Sequence, residues 1–145
     1  MIVVDANVAA KWLLPEEGSD EAIALQEGPH QLVAPDLIRL EVVAAITRRV
    51  RAEKTPLPPK EAVRRYQKWM RLLDQATISL IPESELLAQA VDLAVLIKHP
   101  LQDCLYLAAA MQLEAELITA DHTFLKRASR HYRHVSLLPG PLRVK

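Results

Sequence analysis

One cysteine, Cys104, stands in 145 residues. It has no partner for an intramolecular disulfide and cannot build a thiolate zinc site alone, and its apolar neighbours suit a buried structural thiol better than a nucleophile. Glycine is nearly as scarce, with three residues. Neither a G-x-x-x-x-G-K-[ST] nor a G-x-G-x-x-G loop occurs, which excludes the phosphate-cradling turns those motifs build. A G-x-S-x-G nucleophile elbow is also missing. The five histidines, His30, His99, His122, His131 and His134, are scattered, with no H-E-x-x-H pair and no cysteine set beside them. Two Trp, three Tyr and one Phe are too few to suggest a base-stacking surface. No apolar run approaches the ~20 residues of a membrane span. Met1 leads straight into strand-like residues without a basic, signal-like segment, so a soluble cytoplasmic protein without a membrane partner is expected.

An excess of either charge is missing too, with 18 basic and 18 acidic side chains, but their distribution is uneven. Residues 1–44 hold two basic and eight acidic side chains, and residues 45–75 hold nine basic and three acidic. Residues 76–125 return to one basic and seven acidic, and the tail from 126 has six basic and no acidic. Such alternation suits an acidic site flanked by basic surface that meets a polyanion, and it equally suits two ordinary solvated helix faces. On the first reading Arg48, Arg49, Arg64, Arg65 and Lys68 are the candidates for holding the polyanion.

Half of the residues are hydrophobic, enough for a proper core, and the length fits one domain over residues 1–145 and not two. Ile2–Asp5 is a short β-branched run that reads as a buried strand. Residues 7–14 suit a short helix stopped by Pro15, and residues 19–27 another, ended by Gly28-Pro29. Leu32–Ala34 follows as a strand. Asp36 is placed to cap a long helix to about Ala52, with Pro35 marking the turn before it. The segment Thr55-Pro56-Leu57-Pro58-Pro59 separates that helix from a basic amphipathic one near 60–75. Residues 78–81 form a third strand, and a helix of about fourteen residues starts at Ser84 with Leu86, Leu87, Ala90, Val91, Ala94 and Ile97 at helical spacing. An Ala-rich helix over Gln102–Leu113, a strand at Glu116–Thr119, a helix at His122–Ser129 and a last strand at Val135–Leu138 complete the chain before Pro139-Gly140-Pro141. Strands separated by helices predict an α/β fold with a mostly parallel sheet.

Four acids sit in stretches too apolar to carry a charge casually: Asp5 after Ile2-Val3-Val4, Glu41 inside Leu37–Ile46, Asp103 before Cys104–Ala110, and Asp121 after Leu117–Ala120. A lone buried carboxylate protonates or finds a cation, and several that converge repel one another unless a divalent cation lies between them. Asp5 and Asp121 fall at or beyond the carboxyl ends of strands, where ligands gather in parallel sheets. Each has a structural alternative. Asp5 suits a turn, Asp121 a helix N-cap, Asp103 a first-turn position favoured by the helix dipole, and Glu41 a buried ion pair with Arg48. Asn7 and Thr119, two residues from Asp5 and Asp121, are the candidates for orienting the carboxylates. A site of oxygen donors alone points to Mg²⁺ or Mn²⁺ over Zn²⁺.

Four segments carry a resemblance. Val3-Val4-Asp5-Ala6-Asn7, Leu40-Glu41-Val42, Gln102–Ala108 and Ile118-Thr119-Ala120-Asp121 resemble the signature blocks of the PIN-domain nucleases, and in size and spacing the chain is most similar to the VapC-type toxins of toxin–antitoxin pairs. The resemblance covers nearly the whole chain. It implies a three-layer α/β/α sandwich around a four- to five-stranded sheet, Mg²⁺- or Mn²⁺-dependent cleavage of RNA, and inhibition by a small antitoxin. By position it carries the catalytic, metal-binding set over to Asp5, Glu41, Asp103 and Asp121. One departure is that His122 and Thr123 stand where many members have a further acid. A non-catalytic RNA- or protein-binding module on the same fold and a metal-dependent phosphatase are the competing readings. Trp12-Leu13-Leu14 and Trp69-Met70 put large side chains on short or basic helices, and with them as partly exposed anchors a homodimer is expected.

Overall fold

The computed structural model describes residues 1–139, so Gly140 and Pro141 of the expected chain end lie outside the described residues. Its strands are β1 (Ile2–Val4), β2 (Leu32–Pro35), β3 (Ser79–Ile81), β4 (Glu116–Thr119) and β5 (Val135–Leu137). They form one sheet in the order β3-β2-β1-β4-β5, and every pairing is parallel. Parallel neighbours need crossover connections, which the helices supply. α1 (Ala6–Ala9), a 3₁₀ turn (Ala10–Trp12) and α2 (Ser19–Glu27) join β1 to β2, and α3 (Ile38–Val50) and α4 (Pro59–Asp74) join β2 to β3. A 3₁₀ turn (Glu83–Glu85), α5 (Leu87–Ile97) and α6 (Leu101–Leu113) lead to β4, and α7 (His122–Ala128) leads to β5. Val3 and Val4 point to opposite faces of the sheet, as do Leu117 and Ile118, and all four are fully buried. Both faces are therefore covered, as the three-layer architecture requires.

The winding reverses between β1 and β4, since β2 and β3 lie on one side of β1 while β4 and β5 lie on the other. In such sheets the crevice at the carboxyl ends of the two strands flanking the reversal is where ligands bind. Register fixes what meets there. Val4 is level with Ile118, and the Asp5 amide donates to the Ile118 carbonyl at 3.0 Å, so Asp5 and Thr119 leave the sheet side by side.

α6 runs through the middle of the molecule. Every residue from Cys104 to Ala110 is buried, and the small Ala108, Ala109 and Ala110 let the helix lie close to its neighbours. On α3 the buried residues Ile38, Val42 and Ile46 recur every four positions, so one stripe faces the core and Glu41 falls beside it.

Several local expectations give way to tertiary partners. Asp36 does not cap α3. The amide of Leu37, at the N-cap position, is instead taken by the carboxylate of Glu83 from the far edge of the sheet, and Asp36 pairs with Arg39 at 3.4 Å. Pro35 is the last residue of β2, level with Ile81. The large side chains expected to be partly exposed are core. Trp12, Leu13 and Leu14 are buried, Trp69 is fully buried, and only Met70 keeps some exposure. The 3₁₀ turn and α4 bury each other's indoles, with ring centroids 6.4 Å apart, and each N–H finds a carbonyl, Trp12 at Ala22 (2.8 Å) and Trp69 at Arg39 (3.2 Å). Trp69→Phe removes one bond and part of that volume. It is expected to cost about 1–3 kcal/mol of unfolding free energy, read from denaturant midpoints at unchanged m-value.

Candidate metal centre

Three of the four acids line one cleft. Asp5 after β1, Glu41 in the first turn of α3 and Asp103 in the first turn of α6 surround an open cavity of about 650 Å³. Ala44 and Ala45, one turn beyond Glu41, also line it, and their small side chains keep that wall of α3 low. Asp121 joins through Asp103, since ligand atoms of His99, Asp103 and Asp121 all lie within 4.8 Å of one another. Asp103 thus belongs to both groups.

Asp5 is the most constrained of the set. It is 3% exposed, and its Oδ2 accepts from the Thr119 hydroxyl at 2.8 Å and from Asn7 Nδ2 at 3.3 Å. Asn7 is fixed in turn, because its Oδ1 accepts from the Ala120 amide at 3.0 Å. Thr119 Oγ1 also accepts from the Asp121 amide at 3.1 Å, which ties the ends of β1 and β4 together. Burial, followed by the repulsion of Asp103, pushes the Asp5 carboxyl up to about 7 against the lowering effect of the Thr119 bond, and Glu41 adds to the rise.

Glu41 makes no ion pair with Arg48. Its Oε1 accepts from the Tyr106 hydroxyl at 2.7 Å. Burial raises its carboxyl above the usual range, the Tyr106 bond works against that, and Asp103 adds to it. Burial and Glu41 push the Tyr106 phenol far up, so it stays a donor. Asp121 does cap α7, with Oδ1 accepting from the Phe124 amide at 3.1 Å. Its other oxygen makes no hydrogen bond among the described residues. Cys104, buried behind Asp103, has its thiol pushed up to about 11 by desolvation and by that carboxylate, as suits an inert structural residue.

Among the described residues no lysine or arginine forms an ion pair with Asp5, Glu41, Asp103 or Asp121; Asp103 instead has the His99 ring 2.6 Å away. Mutually repelling carboxylates, two of them with raised pKa and none matched by a guanidinium or ammonium, fit a hard divalent cation as the missing positive charge.

The basic residues divide. Arg48 and Arg49 line the cleft, together with Lys11 and Arg51, which the sequence reading did not single out. Glu16, on the cleft wall, holds Lys11 at 3.2 Å and also pairs with Arg49. Arg64, Arg65 and Lys68 do not line it. Arg64 and Arg65 pair with Glu61 on their own helix at 2.9 and 3.1 Å, Arg65 also donates to the Leu13 carbonyl, and Lys68 is exposed on α4. His99 and Tyr106 are the site residues missed as partners of the acids. Their signal was position, four residues before Asp103 and three after it, which places both beside that carboxylate.

A family model for the PIN domain matches residues 2–130. No curated protein matches the sequence. Among solved structures, a toxin-antitoxin complex from Klebsiella pneumoniae is similar with a TM-score of 0.66 at 20% identity, over 94% of this chain and 96% of that one. FitAcB from Neisseria gonorrhoeae is similar with a TM-score of 0.61 at 16% identity, over 99% and 100%. At those identities the likeness is one of fold.

Proposed function

The chain belongs to the PIN-domain family, and from that membership we propose that it is a Mg²⁺- or Mn²⁺-dependent endoribonuclease, the toxin of a toxin–antitoxin pair, acting in the cytoplasm. The observation that carries the metal-dependent part is the convergence of Asp5, Glu41 and Asp103 on one cleft with no cationic side chain paired to Asp5 or Glu41. The toxin part is supported by the fold shared with a toxin-antitoxin complex. Among the described residues no helix is long and apolar enough to cross a membrane.

Asp5, Glu41 and Asp103 bind the cation, with the free oxygen of Asp121 as a fourth donor. When bound, the cation supplies Lewis acidity, acidifying water and neutralising charge on the phosphate being cleaved. Thr119 and Asn7 hold the Asp5 carboxylate through Oδ2, which fixes its orientation on the cleft wall. Tyr106 does the same for Glu41. Lys11, Arg48, Arg49 and Arg51 bind the phosphates flanking the scissile bond, and RNA competes with Glu16 for Lys11 and Arg49. Arg48→Ala is expected to weaken RNA binding roughly tenfold and lower the salt slope by about one, whereas Lys68→Ala leaves both unchanged. Fluorescence anisotropy across a salt series reads both variants.

The partners of this reading are a small antitoxin covering the acidic cleft, with an arginine reaching the carboxylates, and a second copy of the chain. With Trp12 and Trp69 in the core, the large apolar side chains left for a homodimer include Leu87, Val91 and Val95, exposed at four-residue spacing on α5. The deciding experiment offers a short RNA and a chromogenic phosphate ester to the protein with and without Mn²⁺. Cleavage of the RNA alone, abolished by chelation, supports the nuclease; turnover of the ester alone supports a phosphatase, and neither activity a binding module.

A further inference from the structure

We propose, resting on the acidic site described above, that Arg127 and His99 form a relay that holds Asp103 in its working orientation, with the His99 ring gripped between Arg127 and Phe124 and donating from Nε2. His99 follows the end of α5, where Lys98 at φ 57° caps the helix in the left-handed conformation and turns the chain. The ring lies almost flat on Phe124 of α7, with centroids 4.9 Å apart at 13°, and its side chain is 5% exposed. Nε2 stands 2.6 Å from Asp103 Oδ2. Nδ1 stands 3.1 Å from Arg127 Nη1, which also donates to the Lys98 carbonyl at 2.9 Å.

Those two contacts determine the tautomer. A guanidinium has five N–H donors and no acceptor, so Nδ1 beside Arg127 has to accept. The ring proton is then on Nε2, and it is donated to Asp103. A histidine held on one side and bonded to a carboxylate on the other is the arrangement that fixes a ligand's orientation from behind. Asp103 Oδ2 is occupied by this bond and Oδ1 is left for the cleft. That matters because Asp103 is shared between the Asp5–Glu41 wall and Asp121.

The alternative is that His99 is itself a ligand, since its ring nitrogen, Asp103 and Asp121 lie within 4.8 Å of one another. The contacts argue against it. Nε2 carries the proton and Nδ1 is engaged by Arg127, so neither nitrogen offers a lone pair to a cation. Two donors on one octahedral ion with bonds of ~2.1 Å lie roughly 3 Å apart, and the 2.6 Å from Nε2 to Oδ2 is a hydrogen-bond distance instead. His99 is a positioning residue.

The test reads metal binding and the ring itself, not cleavage. In the full chain, His99→Phe keeps the stack on Phe124 and removes both bonds; it is expected to weaken Mn²⁺ binding by roughly 10–100-fold in calorimetry. His99→Gln restores an N–H towards Asp103 and returns the affinity close to that of the parent protein. ¹⁵N NMR of the metal-free parent shows the Nε2–H tautomer, and in Arg127→Met the Nδ1–H form appears and Mn²⁺ affinity falls. Three results overturn the relay: an Nδ1–H tautomer in the parent, unweakened Mn²⁺ binding in His99→Phe, or a directly coupled histidine nitrogen in the Mn²⁺ electron spin resonance that His99→Phe abolishes. If His99→Phe does not fold, Arg127→Met and the tautomer decide alone. A chain that binds Mn²⁺ in the expected order but cuts no RNA sinks the nuclease reading and leaves the relay standing; one that binds no Mn²⁺ sinks the metal centre, and the relay is then judged on the tautomer.

Discussion

Asp5→Asn is expected to lower RNA cleavage by at least about 10²–10³-fold while making the metal-free protein more stable at pH 8. The two effects have one cause. Asp5 sits where a charge is costly, buried at the end of β1 and repelled by Asp103 and Glu41, and its carboxyl is pushed up to about 7 from 3.8. At pH 8 the folded protein carries that charge and is destabilised by it, by at most about 4 kcal/mol. Asparagine keeps an oxygen for the Thr119 hydroxyl and the Asn7 amide and discards the charge. A gain of about 2–4 kcal/mol, roughly 6–12 °C in melting temperature, follows for a chain of this size. The gain shrinks as the pH falls, and near pH 4 the two proteins should melt together because Asp5 is then protonated in the folded state. Melting curves at three pH values and a single-turnover cleavage assay check both halves. An Asp5→Asn protein that is less stable at pH 8 and still cuts RNA would make Asp5 a structural turn residue.

What made Asp5 legible was its setting, a carboxylate closing a run of β-branched residues. The same logic found Glu41, Asp103 and Asp121 as an unusual set, and the alternation of strand and helix gave the layers. What stayed hidden depends on contacts between distant segments. Glu41 was weighed against Arg48, seven residues away on its own helix, yet its hydrogen-bond partner is Tyr106, sixty-five residues on. Asp36 looked like the cap of α3, but Glu83 supplies it from another strand's end. Trp12 and Trp69 looked too large to bury on short or basic helices, because nothing in either segment shows that the other will cover it. The charge blocks failed in part for a similar reason. A basic stretch spans two helices, and only Arg48 and Arg49 of α3 and Arg51 just after it turn towards the cleft, while Arg64 and Arg65 are engaged by Glu61. Local pattern specifies which face of an element is apolar; which other element meets that face is fixed by the crossovers.

The stability of the metal-free protein should fall as the pH rises from about 4 to 8, and Mg²⁺ or Mn²⁺ should remove most of that fall. The sign follows from the direction of the shifts. Asp5 and Glu41 both have folded-state pKa values above their unfolded ones. A group of that kind favours the folded state fully below its unfolded pKa, and the favour is lost as pH rises through the folded value, here about 7 for Asp5. Glu61, lowered by its pairs with Arg64 and Arg65, has the opposite sign, but those pairs lie at the surface and solvent screens them. The Cys104 thiol, pushed up to about 11, does not titrate in this window. The fall is expected to be about 2–4 kcal/mol, mostly from Asp5. A divalent cation binding only the folded state at about 100 times its dissociation constant returns roughly 2.7 kcal/mol at pH 8. It returns much less at pH 5, where the Asp5 carboxyl is protonated and competes with it. Calorimetric titration at pH 7 in two buffers of different ionisation enthalpy should show proton release on binding, and Asp5→Asn should lose most of it. Denaturant unfolding at pH 5 and pH 8, with a chelator and with Mn²⁺, gives the four free energies needed. Equal stability at the two pH values in chelator would mean that Asp5 carries no cost of burial, and the electrostatic argument for a cation in this cleft would fail with it.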